Sequence, residues 1–342
     1  MLTKIINYFR LTWLLSWDKR VSLWLKSFLL LVPGIYALIP LPDDFIPVIG
    51  VIDDLILFIL CSLIFVMLSP TGVVKEISTR INHTMDDPVY DLDVYHHPGE
   101  QSGLVISFAI IAISLLIAGY PAGILGLLFF IAGIYSSRMM RGQALGNALQ
   151  VSEQQLPEIH KALQKALSKL PPVKVELFVT QNPTMNAFSL GYSEPYTIFL
   201  TSALVENLDS EEIQAVIGHE LGHIYFEHVR LISLMSGLGG GPVRMIFYRW
   251  SRACEYSCDG IALLASDGNP QVVISALLKL ASGLKNVDLD LDAFLDQHKK
   301  QTDGSAAMAE SVSSHPFINN RIQRLLSLAD SNRFIPMAAI QA

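Results

Sequence analysis

The residues best suited to chemistry are two histidines four apart with a glutamate between them, His219-Glu220-Leu221-Gly222-His223. On an α-helix, positions i and i+4 lie about 40° apart around the axis, so both imidazoles face one point. Glu220 is turned about 100° from His219, beside that point and not on it. This suits two Zn²⁺ ligands and a general base for a metal-bound water. The helix is locally encoded. Asp209 and Glu212 have capping-box spacing ahead of an apolar run, and Gly218 and Gly222 allow a neighbour to approach closely.

A catalytic zinc site needs a third protein ligand and an open fourth position. His228 falls nine residues after His219, about 180° around a continuous helix, so it is expected on the helix surface or behind a ligand. Glu255 and Asp259 are four apart on a second predicted helix. Glu255 can bind the metal while Asp259 accepts a hydrogen bond from a ligand histidine and sets its tautomer. Cys254 and Cys258 sit among them, but thiolates beside the two histidines would close the site and leave Glu220 without a task. They are expected to be small buried side chains. His315 precedes Pro316, which favours extended or turn backbone, so its imidazole can project from a loop. There it could donate to an oxyanion or cap the open metal position as a latch; capping the helix ahead of Ile318 is the structural alternative.

These residues must be positioned by the globular sequence after residue 135. Residues 150–170 read as an amphipathic helix stopped by Pro171-Pro172. Residues 173–180, 186–190 and 196–201 read as strands, and from Asp209 onward the pattern is helical. Residues 231–250 are broken by Gly237-Leu238-Gly239-Gly240-Gly241-Pro242, which suggests a flap near the site.

The rest of the chain is unusually apolar. Of 342 residues 51% are hydrophobic and 16% charged, against about 25% charged in soluble domains. A net charge of −7 leaves no basic face for nucleic acid. Three cysteines make no disulfide framework. Residues 103–135 carry no charge, and Gly119-Tyr120-Pro121-Ala122-Gly123 divides them with a turn signal. As one helix they would reach about 50 Å, so two short membrane segments in a hairpin are expected. Residues 27–39 and 55–69 form another apolar pair, with buried core helices as the rival reading. The first twenty residues lack a cleavable signal and read as an amphipathic interfacial helix. The motifs lie after Met139, so the hairpin is expected to be separable from them.

Four segments resemble the membrane zinc metallopeptidases that include HtpX and the CAAX prenyl protease, peptidase family M48. They are Asn186-Ala187-Phe188, EEIQAVIGHELGH, SRACEYSCDGIAL, and Ser314-His315-Pro316-Phe317 running on to Arg321-Ile322. The resemblance implies His219, His223 and Glu255 as ligands to one Zn²⁺ per chain, with Glu220 as catalytic base. Two departures stand out. Cys258 replaces a usual alanine, and no membrane spans intervene between the zinc helix and Glu255. Separately, YALIPLPDDFIPVIGVIDDLILF resembles a YkvA-like domain of unknown function; Asp43, Asp44, Asp53 and Asp54 there are expected to cap helices and turns.

The expected fold is α+β, a zincin-like domain mostly helical with a small sheet, after an α-helical membrane-associated region. The expected divisions are 1–70 (YkvA-like), 71–102 (acidic linker), 103–135 (transmembrane hairpin) and 136–342 (metallopeptidase). The expected function is a membrane-anchored zinc endopeptidase working by Glu-assisted attack of zinc-bound water in membrane protein quality control. Misfolded or membrane proteins would be its substrates and lipid a partner, while the strand at Asn186, Ala187 and Phe188 would pair with extended peptide. A non-catalytic membrane scaffold is the alternative. Lys4, Arg10, Lys19, Arg20 and Lys26 before the first apolar run, and Arg138 and Arg141 after the last, place both flanks in the cytoplasm of a bacterial inner membrane.

Overall fold

A computed structural model describes residues 2–36, parts of 58–78, and 92–331 except 119, 193, 236–244, 286–289 and 300–303. The four aspartates of the YkvA-like segment and the core of the glycine-rich flap lie outside the described residues. The chain divides into two compact units, Met1–Val94 and Tyr95–Ala342.

In the first unit, α1 (Leu2–Trp17) and α2 (Leu23–Tyr36) bury Leu15, Leu25 and Leu29. Trp13 and Trp17 remain exposed, edge to face with each other. Arg20 holds the Asp18 carboxyl down at about 2.

The second unit opens with α3 (Gly99–Ala118) and α4 (Tyr120–Asn147), followed by β1 (Leu149–Gln150), α5 (Pro157–Ser168), β2 (Val175–Thr180), β3 (Ala187–Leu190) and β4 (Tyr196–Thr201). Short α6 (Ser202–Asn207) leads to α7 (Ser210–Tyr225), α8 (His228–Met235), α9 (Tyr248–Ala265) and α10 (Pro270–Ser282). The chain then forms α11 (Leu291–Lys299), α12 (Gly304–Ser311) and α13 (Ile318–Ala329). The architecture is mostly helical with a small mixed sheet.

Two boundaries differ from the sequence reading. The helix expected from residue 150 begins at Pro157, because Leu156 takes a left-handed φ of 61° and Gln150 is spent pairing with Phe178. Of the turn expected over residues 119–123, residues 120–123 are helical, within α4. Pro121 fits its first turn, where a missing N–H costs nothing. Among the described residues, no helix is long and apolar enough to cross a membrane.

The sheet order is β1-β2-β4-β3, with β2 and β4 parallel and the outer pairs antiparallel. Phe199 lies in register with both Phe178 and Phe188, so a stacked aromatic row crosses three strands. Ala144 of α4 packs on this row, and Arg141 reaches Glu176 of β2 at 2.7 Å. α7, α9, α10 and α13 share a second core around Ala215, Ala262, Leu277 and Ile322.

α3 belongs to this fold. A Cβ on Gly103 would lie 2.8 Å from the Trp250 backbone, and Ser107 donates to the Ile246 carbonyl at 2.9 Å. That is helix-on-helix contact, which a tethered anchor does not need. This packing at α3 runs against the expectation that the hairpin is separable. The last residues of the stretch read as a linker, from Tyr95, also lie in the second unit.

Candidate active site

α7 starts where its sequence dictates. Asp209 accepts from the Glu211 and Glu212 backbones at 2.9 Å each, and Glu212 accepts from the Asp209 backbone at 2.9 Å. Such a cap stabilises a helix by about 1 kcal/mol. Glu212 also receives Ser275 at 2.6 Å and Lys279 at 2.7 Å, which ties α7 to α10. The small residues bring α7 against α9: a Cβ on Gly222 would sit 2.9 Å from the Cys258 Cα.

That contact brings Glu255 to the histidines. The Nε2 atoms of His219 and His223 stand 3.5 and 3.6 Å from the two Glu255 oxygens. Donors sharing a metal through bonds of roughly 2.0–2.2 Å are separated by about 3.3–3.6 Å. Both separations fall in the range of donors that share a metal. One atom each of His219, His223 and Cys258 also lie within 4.8 Å of one another. Burial and the nearby carboxylates push the Cys258 thiol well above its usual range.

Behind Glu255 lies a residue the sequence reading left without a role. Arg321, from α13, is buried and reaches Glu255 at 3.1 Å while gripping Asp259 with two bonds of 2.6 and 2.9 Å. Burial opposes the charge of Glu255, but Arg321 and the histidine contacts outweigh it and hold the carboxyl well below the usual range. Asp259, lowered in the same way, accepts from His219 Nδ1 at 3.1 Å. Two buried acids one helical turn apart require a nearby cation, and that requirement was the available signal for Arg321.

Of the two places expected for His228, the structure shows the one behind a ligand histidine. α7 ends at Tyr225, and Glu227 takes a left-handed φ of 60°, so the continuous-helix geometry no longer applies. The chain doubles back and buries His228 with its Nδ1 3.3 Å from His223 Nδ1.

A cavity of about 560 Å³ opens over this group, lined by His219, Glu220, His223, Glu255, His315 and the edge strand β3. Asn186, Ala187 and Phe188 are all on its wall. His315 is 65% exposed, yet its Nδ1 reaches Glu255 at 3.2 Å. It does not cap α13, whose N-cap is Phe317 and makes no side-chain cap bond. Its loop is braced instead by Arg252, which donates to the Ser311 and Ser313 carbonyls at 2.9 and 2.8 Å.

A helical domain with a mixed sheet, a His-Glu-His helix and a facing glutamate defines the metallopeptidase class. The chain matches the model of "Peptidase family M48" over residues 151–240. It is 30% identical over 233 residues to a "Protease HtpX homolog" of Helicobacter pylori, covering 56% of this chain and 74% of that protein. It is 33% identical over 192 residues to the "Plastoglobule-localized metallopeptidase 48, chloroplastic" of Arabidopsis thaliana. That match covers 51% of this chain and 55% of the plant protein, so the chain spans about half of that relative's length. This chain belongs to peptidase family M48.

Proposed function

We propose that the chain is a zinc-dependent endopeptidase in which His219, His223 and Glu255 hold the metal and Glu220 is the general base. The observation that carries this reading is the convergence of both Nε2 atoms on the Glu255 carboxylate, on the wall of a cavity that Glu220 also lines. The bound ion would supply Lewis acidity, polarising the scissile carbonyl and making water acidic near neutral pH.

The protein supplies the rest. Glu220 takes a proton from the attacking water and returns it to the leaving amine. Asp259 fixes His219 through Nδ1, and Arg321 keeps both acids ionised and in place. β3, an edge strand on the cavity wall, offers an extended substrate backbone a pairing surface. That selects unfolded or loosely structured segments, such as misfolded proteins. His315 approaches Glu255 from an exposed loop, which suits either an oxyanion donor or a latch that moves aside.

Membrane attachment forms part of this reading, carried by the charge-free residues 103–135 and the exposed Trp13 and Trp17. The test uses the full chain in detergent: metal content by mass spectrometry, and cleavage of an unstructured protein with and without chelator. One zinc per chain and chelator-sensitive cleavage are expected. A metal-loaded chain that cuts nothing would favour the scaffold reading.

A further inference from the structure

Each proposed ligand histidine needs a partner for the ring nitrogen that does not face Glu255, because that nitrogen must carry the proton. For His219 the partner is Asp259. For His223 no carboxylate stands in that place; its Nδ1 meets another histidine, His228, at 3.3 Å. His228 in turn places Nε2 2.8 Å from Glu100 Oε2. Glu100 is buried at the head of α3, and its other oxygen receives the hydroxyl of Ser257. His96 Nδ1 lies 3.4 Å from Glu100 Oε2, and the Ser257 hydroxyl also accepts the His97 backbone N–H at 2.7 Å.

We infer that Glu100 and His228 are positioning residues for His223, joined as a relay that ends on its Nδ1. With His223 ligating through Nε2, its Nδ1 carries the proton and His228 Nδ1, which also lies 3.6 Å from Cys258 Sγ, is the acceptor. His223 Nδ1–H donates to His228 Nδ1, and His228 Nε2–H donates to the Glu100 carboxylate. The Glu100 carboxylate accepts from His228 at one oxygen and from the Ser257 hydroxyl at the other, so both its oxygens are satisfied in the buried site. The site thus has two supports of different length, one within α9 and one reaching back 128 residues to α3. The head of α3, the first helix of the apolar hairpin, is therefore mechanically part of the site. A histidine packed only to fill space would need no buried carboxylate, which is costly to bury without a task.

This inference rests on the reading of His223 as a metal ligand. The test measures zinc affinity by chelator competition and the visible spectrum of Co²⁺-loaded full chain in detergent, neither of which requires turnover. His228→Leu removes the acceptor and is expected to weaken zinc about tenfold to a hundredfold and shift the cobalt bands. His228→Gln keeps an acceptor and a donor at similar spacing and is expected to restore affinity to within about threefold. Glu100→Gln, nearly isosteric, is expected to weaken zinc by about threefold to tenfold with a shifted cobalt band, and it decides the matter if His228→Leu does not fold. Unchanged affinity and cobalt spectrum in Glu100→Gln would overturn the relay. If the wild type itself takes up no zinc, the ligand assignment is what fails.

Discussion

Gly222→Ala should separate the cost of spreading two helices from the cost of misplacing the site between them. The added Cβ would stand 2.9 Å from the Cys258 Cα, 3.1 Å from its Cβ and 3.2 Å from its Sγ. The nearest of these is backbone and cannot rotate away. Carbon contacts settle near 3.5–4.0 Å, so α7 and α9 must part by about 0.5–1 Å. Overpacking of this kind costs about 1–3 kcal/mol. Replacing glycine by alanine inside a helix returns about 1 kcal/mol, leaving a net loss of roughly 0–2 kcal/mol. The site is more sensitive. His223 follows Gly222 directly and Glu255 precedes Cys258 by three residues, so the same displacement adds to the 3.5 and 3.6 Å separations between donors. Metal–ligand bonds tolerate only about ±0.2 Å. Zinc affinity should therefore fall at least about tenfold while the melting temperature of the metal-free protein changes by only a few degrees. Gly142→Ala serves as the control, because nothing lies within 4 Å of the added atom. It should stabilise by up to about 1 kcal/mol and leave zinc untouched. Wild-type zinc affinity in Gly222→Ala, by chelator competition, would refute the reasoning.

Other perturbations address separate parts of the site. Glu255→Ala should lose metal and activity together, whereas Cys254→Ser with Cys258→Ser should keep both; zinc release from the double serine variant would favour Cys258 as ligand. Arg321→Leu strands two buried carboxylates and should destabilise the metal-free protein by about 3–5 kcal/mol, measured by denaturant unfolding. His315→Ala should cost about 10²–10³ in rate if it stabilises the oxyanion, or raise basal cleavage if it is a latch. An unchanged rate would exclude both roles. Removing residues 1–138 takes away Glu100 and the α3 helix that packs on Trp250, so zinc binding should be lost, which chelator competition on the shortened chain will show.

What could be read from the sequence was local. The Asp209–Glu212 cap, the i, i+4 histidines and the strand Tyr196–Thr201 each rest on neighbours within a few residues. The helix start was misread, and the place of His228 left open, where one backbone angle changes direction. Leu156 and Glu227 take left-handed conformations that no residue type announces there, and the second brings His228 back to His223. Distance along the chain hid the rest. Glu100 meets its partner 128 residues away, and its acidic neighbourhood read as a linker because a lone glutamate carries no periodic signal. Arg321 sat inside a motif already quoted, yet its role emerges only when Glu255 and Asp259 are seen buried on the same side of α9.

The measurement that bears most directly on the proposed mechanism compares the wild type with Glu220→Gln in the full chain, reading zinc content and cleavage of an unstructured protein on the same samples. Glu220 lines the cavity but is not placed among the donors, so its amide variant should keep one zinc per chain and lose cleavage by several orders of magnitude. Comparable turnover in that variant, with zinc retained, would contradict a hydrolase that depends on Glu220 as its base.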